Sequence, residues 1–251
     1  MKKLRPYLIV VAALVAILWL GLKKNVNTGN MQVYQGDDFT IYYETLTQKT
    51  LEDMEKALET AYPVVQKFFG VETTQTGKII VYKNIGRFQR AYLGLILSWV
   101  YDDWASGAAY QDSVLLTSPE NPGTAHTYSD TLEIMVHEYV HTRIFLINEM
   151  PPVWLDEGVA TYLSGQKSEL SSTVPSFEAL QSDDMGTFLD NNGYAFGYEY
   201  IAFLDKTYGS EKIIRLIQTN NYEEVFGKPA SDIYGEWLAY LKTEYPALET
   251  Q

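Results

Sequence analysis

Cysteine is absent from all 251 residues. No disulfide can staple the fold, no lipid-modified cysteine can tether it, and no thiolate can hold a metal. Histidine is scarce, with three in the chain, and basic side chains fall short of acidic ones, 19 against 32. The shortfall is uneven. Five basic and no acidic residues occupy the first 24 positions, which leaves 14 basic against 32 acidic side chains in the rest, a net −18. That balance argues against nucleic acid as a partner, and it sets the bulk of the chain against anionic lipid headgroups. Internal repeats and low-complexity runs are missing too. What is present is 46% hydrophobic and 14% aromatic residues, enough for one sizeable core or two small ones, in a single unit that two lobes could share.

The first 24 residues stand apart from this acidic remainder. "MKKLRP" is basic, Tyr7 to Leu22 carry no charge, and Lys23 and Lys24 close the run. Trp19 and the two lysines occupy the place where a cleavable signal would have its small-residue site. Residues 1–24 therefore read as an N-terminal signal anchor, a transmembrane segment with its basic end in the cytoplasm and the rest of the chain extracellular; cleavage would make the protein secreted. Residues 25–32 are polar and turn-forming, which suits a tether. The folded domain is expected over 33–251.

Within that domain the strands come early and the helices late. "DFTIYYET" alternates as a strand does, "TLEDMEKALETAYPVVQKFFG" has helical spacing with a kink or break expected at Pro63, and "GKIIVYKN" reads as a short buried strand. "IGRFQRAYLG" reads as a connector, and "GAAYQDSVLLTSP" as one further strand ending at Pro119. Asp130 with Glu133 resembles a capping box for a helix running to about Asn148. "VWLDEGVATYLSG" begins another helix after Pro151-Pro152, with Gly165 to end it. Residues 167–190, rich in Ser, Asp and Glu, read as a loop or lid with short helical pieces, and three helices follow as a C-terminal lobe. The fold class is α+β: a small mixed sheet with an edge strand, an active-site helix and a helical lobe.

Two of the three histidines fall in "VHEYVHTRIF". Four residues along a helix turn about 400° and rise about 6 Å, so His137 and His141 point the same way. That spacing lets two imidazoles hold one tetrahedral ion. Glu138, about 100° round the helix, is displaced from the pair yet within reach of a water at an open metal position, as a general base must be. Antiparallel return of the chain after the double proline brings Asp156 or Glu157 back toward the histidines. Glu157 is the better third ligand, since Trp154, Leu155 and Ala160 mark the apolar face on either side of it. Two His and one carboxylate describe a catalytic metal site, with one Zn2+ per chain. Asp156 and Thr161 are candidates to hydrogen-bond the ligands from behind. His126, in a loop, reads as a surface residue.

"HEYVH" followed by "PPVWLDEGVA" resembles the gluzincin-type zinc metallopeptidases, and most of all the peptidase MA-like group, which shares its zincin-like core with thermolysin and the alanyl aminopeptidases. The resemblance extends from about Phe39 to Tyr240. It implies that His137, His141 and Glu157 bind zinc and that Glu138 activates the water. "YAFGYEYIAFLDKTYG" is similar to the stretch carrying the family's transition-state tyrosine, which implies that role for Tyr194, with Tyr198 the alternative. The family's edge strand holds substrate backbone, which implies Gly107, Ala108 and Ala109 here. The chain departs from the larger aminopeptidases in lacking room for their N-terminal domain and any clear Gly-Ala-Met-Glu-Asn-type segment that grips a free amino terminus. The expectation is a membrane-anchored endopeptidase acting on extracellular peptides or proteins. An aminopeptidase, and an inactive scaffold acting as a binding protein, are the alternatives.

Overall fold

The computed structural model describes residues 24–70, 77–98 and 105–250. These form two compact units, one from the described residues up to Ala57 and from Gly77 to Met135, the other from Leu58 to Gly70 and from Val136 onward. The expected anchor falls almost wholly on residues 1–23, outside the described residues. Among the described residues no helix is long and apolar enough to cross a membrane.

In the first unit, β1 (Gln32–Gln35), β2 (Phe39–Tyr43), β3 (Gly77–Tyr82), β4 (Gly107–Tyr110) and β5 (Ser113–Thr117) make a mixed sheet in the order β1-β2-β3-β5-β4. The central three strands are parallel, and β1 and β4 run antiparallel at its margins. Register sets Ile79 between Ile41 and Val114, and Ile80 beside Leu115. The central strands β3 and β5 are buried nearly throughout, which is why "KIIVY" and "SVLLT" run apolar without alternating. By contrast β2 buries Phe39 and Ile41 and leaves Thr40 between them half-buried, as a period of two requires.

Two expectations change here. "GAAYQDSVLLT" is a hairpin of β4 and β5, with Ala109 opposite Val114 and Gln111 at φ 57 turning the chain. Glutamine carries none of the Gly or Asn signal that marks such a turn in sequence. The presumed connector after β3 is a helix, α2 (Ile85–Leu97), following the long α1 (Gln48–Phe69). Asn84 caps α2 by accepting from the Arg87 N–H at 3.0 Å. Phe88 and Ala91, three apart, bury against Ile80, Tyr82, Ala108 and Leu115. Gly94, at φ 84 and ψ 169, breaks the helical path near its end. Pro63 neither ends nor splits α1, which continues for six more residues.

The second unit is helical. The helix α3 (Tyr128–Phe145), which enters it from the first unit, is capped one turn earlier than the Asp130–Glu133 pair suggests. Thr127 N–H donates to Asp130 Oδ2 at 2.8 Å, and Asp130 N–H donates to Thr127 Oγ1 at 3.2 Å. Then come α4 (Val153–Ser164), ended by Gly165 at φ 74 as its sequence implies, and the short α5 (Phe177–Leu180) and α6 (Met185–Asp190). The segment 167–190 is held by buried Val174, Leu180 and Phe188, and its strand β6 (Thr173–Val174) pairs in parallel with β7 (Glu249–Thr250). The lobe after it has four helices, not three: α7 (Gly193–Tyr208), α8 (Ser210–Thr219), α9 (Tyr222–Phe226) and α10 (Ala230–Glu244). The extra helix α9 is five residues long, too short for periodicity to declare it. Its Asn221 cap accepts from Glu224 N–H at 3.2 Å.

Within this unit α4 and α7 approach each other closely. A Cβ on Gly158 of α4 would lie 3.3 Å from the Gly197 carbonyl of α7, and one on Gly197 would lie 3.3 Å from Gly158 Cα. Glycine at both positions lets the two backbones nearly touch. Glu157 precedes one of these glycines, and Tyr194 sits a turn before the other, so the contact draws both side chains toward the same region.

Candidate metal centre

His137 and His141 lie on α3 among Met135, Val136, Tyr139, Val140 and Ile144, all buried. The helix is therefore enclosed on several sides, and each imidazole must find partners within the protein. Ring nitrogens Nε2 of His137 and His141 are 3.0 Å apart. Glu157 Oε2 lies 3.3 Å from His137 Nε2 and 3.7 Å from His141 Nε2. It is shut off from solvent and has no hydrogen-bond partner.

These three side chains form a group able to hold a metal ion, their ligand atoms all within 4.8 Å of one another. The donor set fits such an ion. Donors about 2.1 Å from one tetrahedral centre stand about 3.4 Å apart, and the three separations here, 3.0, 3.3 and 3.7 Å, bracket that value. An unpartnered, buried carboxylate oxygen facing two imidazole nitrogens is what an ion between them would satisfy.

The residues behind this group set its electrostatics. Asp156 Oδ1 meets His141 Nδ1 at 2.6 Å, which puts the proton on Nδ1 and turns the lone pair of Nε2 toward the group. Burial opposes charge on His141, but Asp156 and Glu157, with the more distant Glu138, raise its pKa well above the usual 6.5. Burial likewise opposes ionisation of Glu157, yet its contacts with the two imidazoles hold its carboxyl well below the usual range. Replacing Asp156 by alanine is expected to weaken metal binding about 10–100-fold without unfolding the chain, as read by competition against a chromophoric chelator. Unchanged affinity would show that His141 keeps its orientation without this carboxylate.

Tyr194 reaches the same place. Its ring centroid is 6.3 Å from that of His137, edge to face, and Phe188 of α6 packs on it at 5.3 Å. Burial and the charges of Glu157 and Glu138 push its hydroxyl far above the ordinary tyrosine value, so it stays a donor at any working pH. Tyr198, a turn later, packs instead on Tyr162 at 5.4 Å and receives Lys167 over its face at 5.6 Å. Half-buried Glu138 lies near enough for its charge to act on both His141 and Tyr194.

Not every candidate joins the group. The hydroxyl of Thr161 donates to the main-chain carbonyl of Glu157 at 2.6 Å, a bond along its own helix and not to the carboxylate. Gly107, Ala108 and Ala109 form β4 in the first unit, whereas His137, His141 and Glu157 all belong to the second. Two features do not show in the sequence motifs: Phe145, stacked on His141 at 5.8 Å, and the close contact of Gly158 with Gly197. Phe145 has a signal in hindsight, since it lies four residues after His141 on the same face. No known protein-family model matches the chain, and no curated protein does.

Proposed function

We propose that the chain is a zinc-dependent peptidase of the zincin-like, gluzincin type, anchored by residues 1–24 with its catalytic domain outside the cell, and that it cleaves peptide bonds within extracellular polypeptides. The observation that carries this reading is the convergence of His137, His141 and Glu157 beside Glu138 and Tyr194. A Zn2+ held by the first three supplies Lewis acidity, enough to bring the pKa of a water to about 7.

The protein's own groups do the rest. The carboxylate of Glu138 takes a proton from the attacking water and delivers it to the departing amine nitrogen. The Tyr194 hydroxyl, kept protonated by its surroundings, donates to the oxyanion that forms as the carbonyl carbon becomes tetrahedral. Asp156 holds the His141 ring in place throughout. In this reading Gly107, Ala108 and Ala109 hydrogen-bond the substrate backbone as an added strand.

Metal content tests the reading first. About one zinc per chain in the wild type, lost in His141→Ala, is the expected result, followed by hydrolysis of N-blocked peptides at least as fast as of free ones. Preference for free amino termini would make the enzyme an aminopeptidase. Zinc without hydrolysis of any peptide in a library would leave a metal-binding scaffold.

A further inference from the structure

Away from the metal group, the first unit contains a cavity of about 220 Å³ walled by Asn25, Asn30, Glu44, Tyr82, Arg87 and Arg90, among others. One water needs only about 15 Å³, so the space admits a small polar ligand. Tyr82 is 2% exposed, and its hydroxyl has no hydrogen-bond partner. Burial, and then the charge of Glu44, push its pKa up to about 12, with Arg87 opposing. Tyr82 lines the cavity together with Glu44 and Arg87, and its hydroxyl is an unused donor.

The charges there do not cancel. Glu44 is already engaged: Oε1 accepts from Arg87 Nε at 3.0 Å and Nη2 at 2.5 Å, and Oε2 accepts from the Lys83 N–H at 3.0 Å. Arg90 uses its Nε on the Gly86 carbonyl at 2.9 Å, with no ion pair among the described residues. Two guanidinium groups against one carboxylate give the wall a net positive charge, and residues 77–98, which supply Tyr82 and both arginines, carry no acidic side chain. A cation is disfavoured there, and an anion finds donors on three segments of the chain. A planar carboxylate brings two acceptor oxygens to those donors, whereas a phosphate ester brings three.

We propose that this cavity is a binding site for a phosphate ester, held by the Tyr82 hydroxyl, the Arg90 guanidinium and the amides of Asn25 and Asn30. Two sources share that chemistry, a free phosphomonoester and a phospholipid headgroup. The second is reachable because Asn25 follows directly on the apolar run that ends in Lys23 and Lys24. The site does not depend on the peptidase reading.

Calorimetric titration of the full-length protein in an uncharged detergent tests it, with inorganic phosphate, glycerol 3-phosphate, acetate and monomeric short-chain phosphatidylglycerol as probes. Saturable binding of a phosphate probe, weakened about tenfold in both Tyr82→Phe and Arg90→Gln, is expected. Because Tyr82→Phe removes an unpartnered buried hydroxyl, its Tm without ligand should hold or rise. Response to the small phosphates assigns a free ligand, and response to the lipid alone assigns a headgroup. Acetate binding as tightly as phosphate, no saturable binding at all, or binding unaltered in both variants overturns the proposal. So does a fall in Tm for ligand-free Tyr82→Phe, since the hydroxyl would then have a structural partner.

Discussion

On the proposed peptidase reading, replacing Glu138 by glutamine is expected to leave the metal in place and to cut peptide hydrolysis about 10²–10⁴-fold, the contribution usual for a positioned proton-transfer group. The amide matches the carboxylate in shape but cannot accept the water's proton. None of the three ligand side chains is altered, so zinc content should equal that of the wild type, and kcat should fall with KM little changed. The substitution also removes a negative charge that acts on Tyr194 and His141, a milder perturbation than loss of a ligand. Undiminished turnover in Glu138→Gln at full zinc content would remove Glu138 from the mechanism. Loss of both zinc and turnover would instead mean that Glu138 helps to hold the ion.

Much of this group is legible in the sequence because one helix supplies most of it. Spacing of four fixes His137 and His141 on one face whatever the rest of the chain does. Glu157 needs more, namely a reversal at Pro151-Pro152 and a return of the right length, both of which leave marks in the sequence. The contact of Gly158 with Gly197 leaves almost none, because a glycine that admits a neighbouring backbone looks like any glycine inside a helix. The fold divides in the same way. The central strands declare themselves as apolar runs, while the β4–β5 hairpin turns on Gln111 and α2 is disguised by Gly86 and Gly94. The Tyr82 cavity is the least legible feature of all. It takes residues from 25–31, 44, 82 and 87–91, and only their meeting makes a buried hydroxyl without a partner into a ligand's donor.

Removal of the ion is expected to destabilise the protein by an amount that grows with pH. In the metal-free chain the proton takes the ion's place: His141, charged, sits between Asp156 at 2.6 Å and Glu157 at 3.7 Å. Its folded pKa lies above the unfolded value near 6.5. A raised pKa contributes stability that is complete below that unfolded value and is lost as pH rises through the folded one. Glu157 has a depressed pKa, so its contribution is present above about 4.5 and does not change between pH 6 and pH 8. The metal-free protein therefore weakens from pH 6 to pH 8, just where deprotonated imidazoles bind the ion best. At free metal a thousandfold above Kd the ion contributes about 4 kcal/mol, or about 10 °C in Tm for a chain of this size. Calorimetry of dialysed metal-free and zinc-loaded protein should show roughly that gap at pH 8 and a much smaller one at pH 6. A gap that is equal at the two pH values, or larger at pH 6, would mean that no proton replaces the ion among His137, His141 and Glu157.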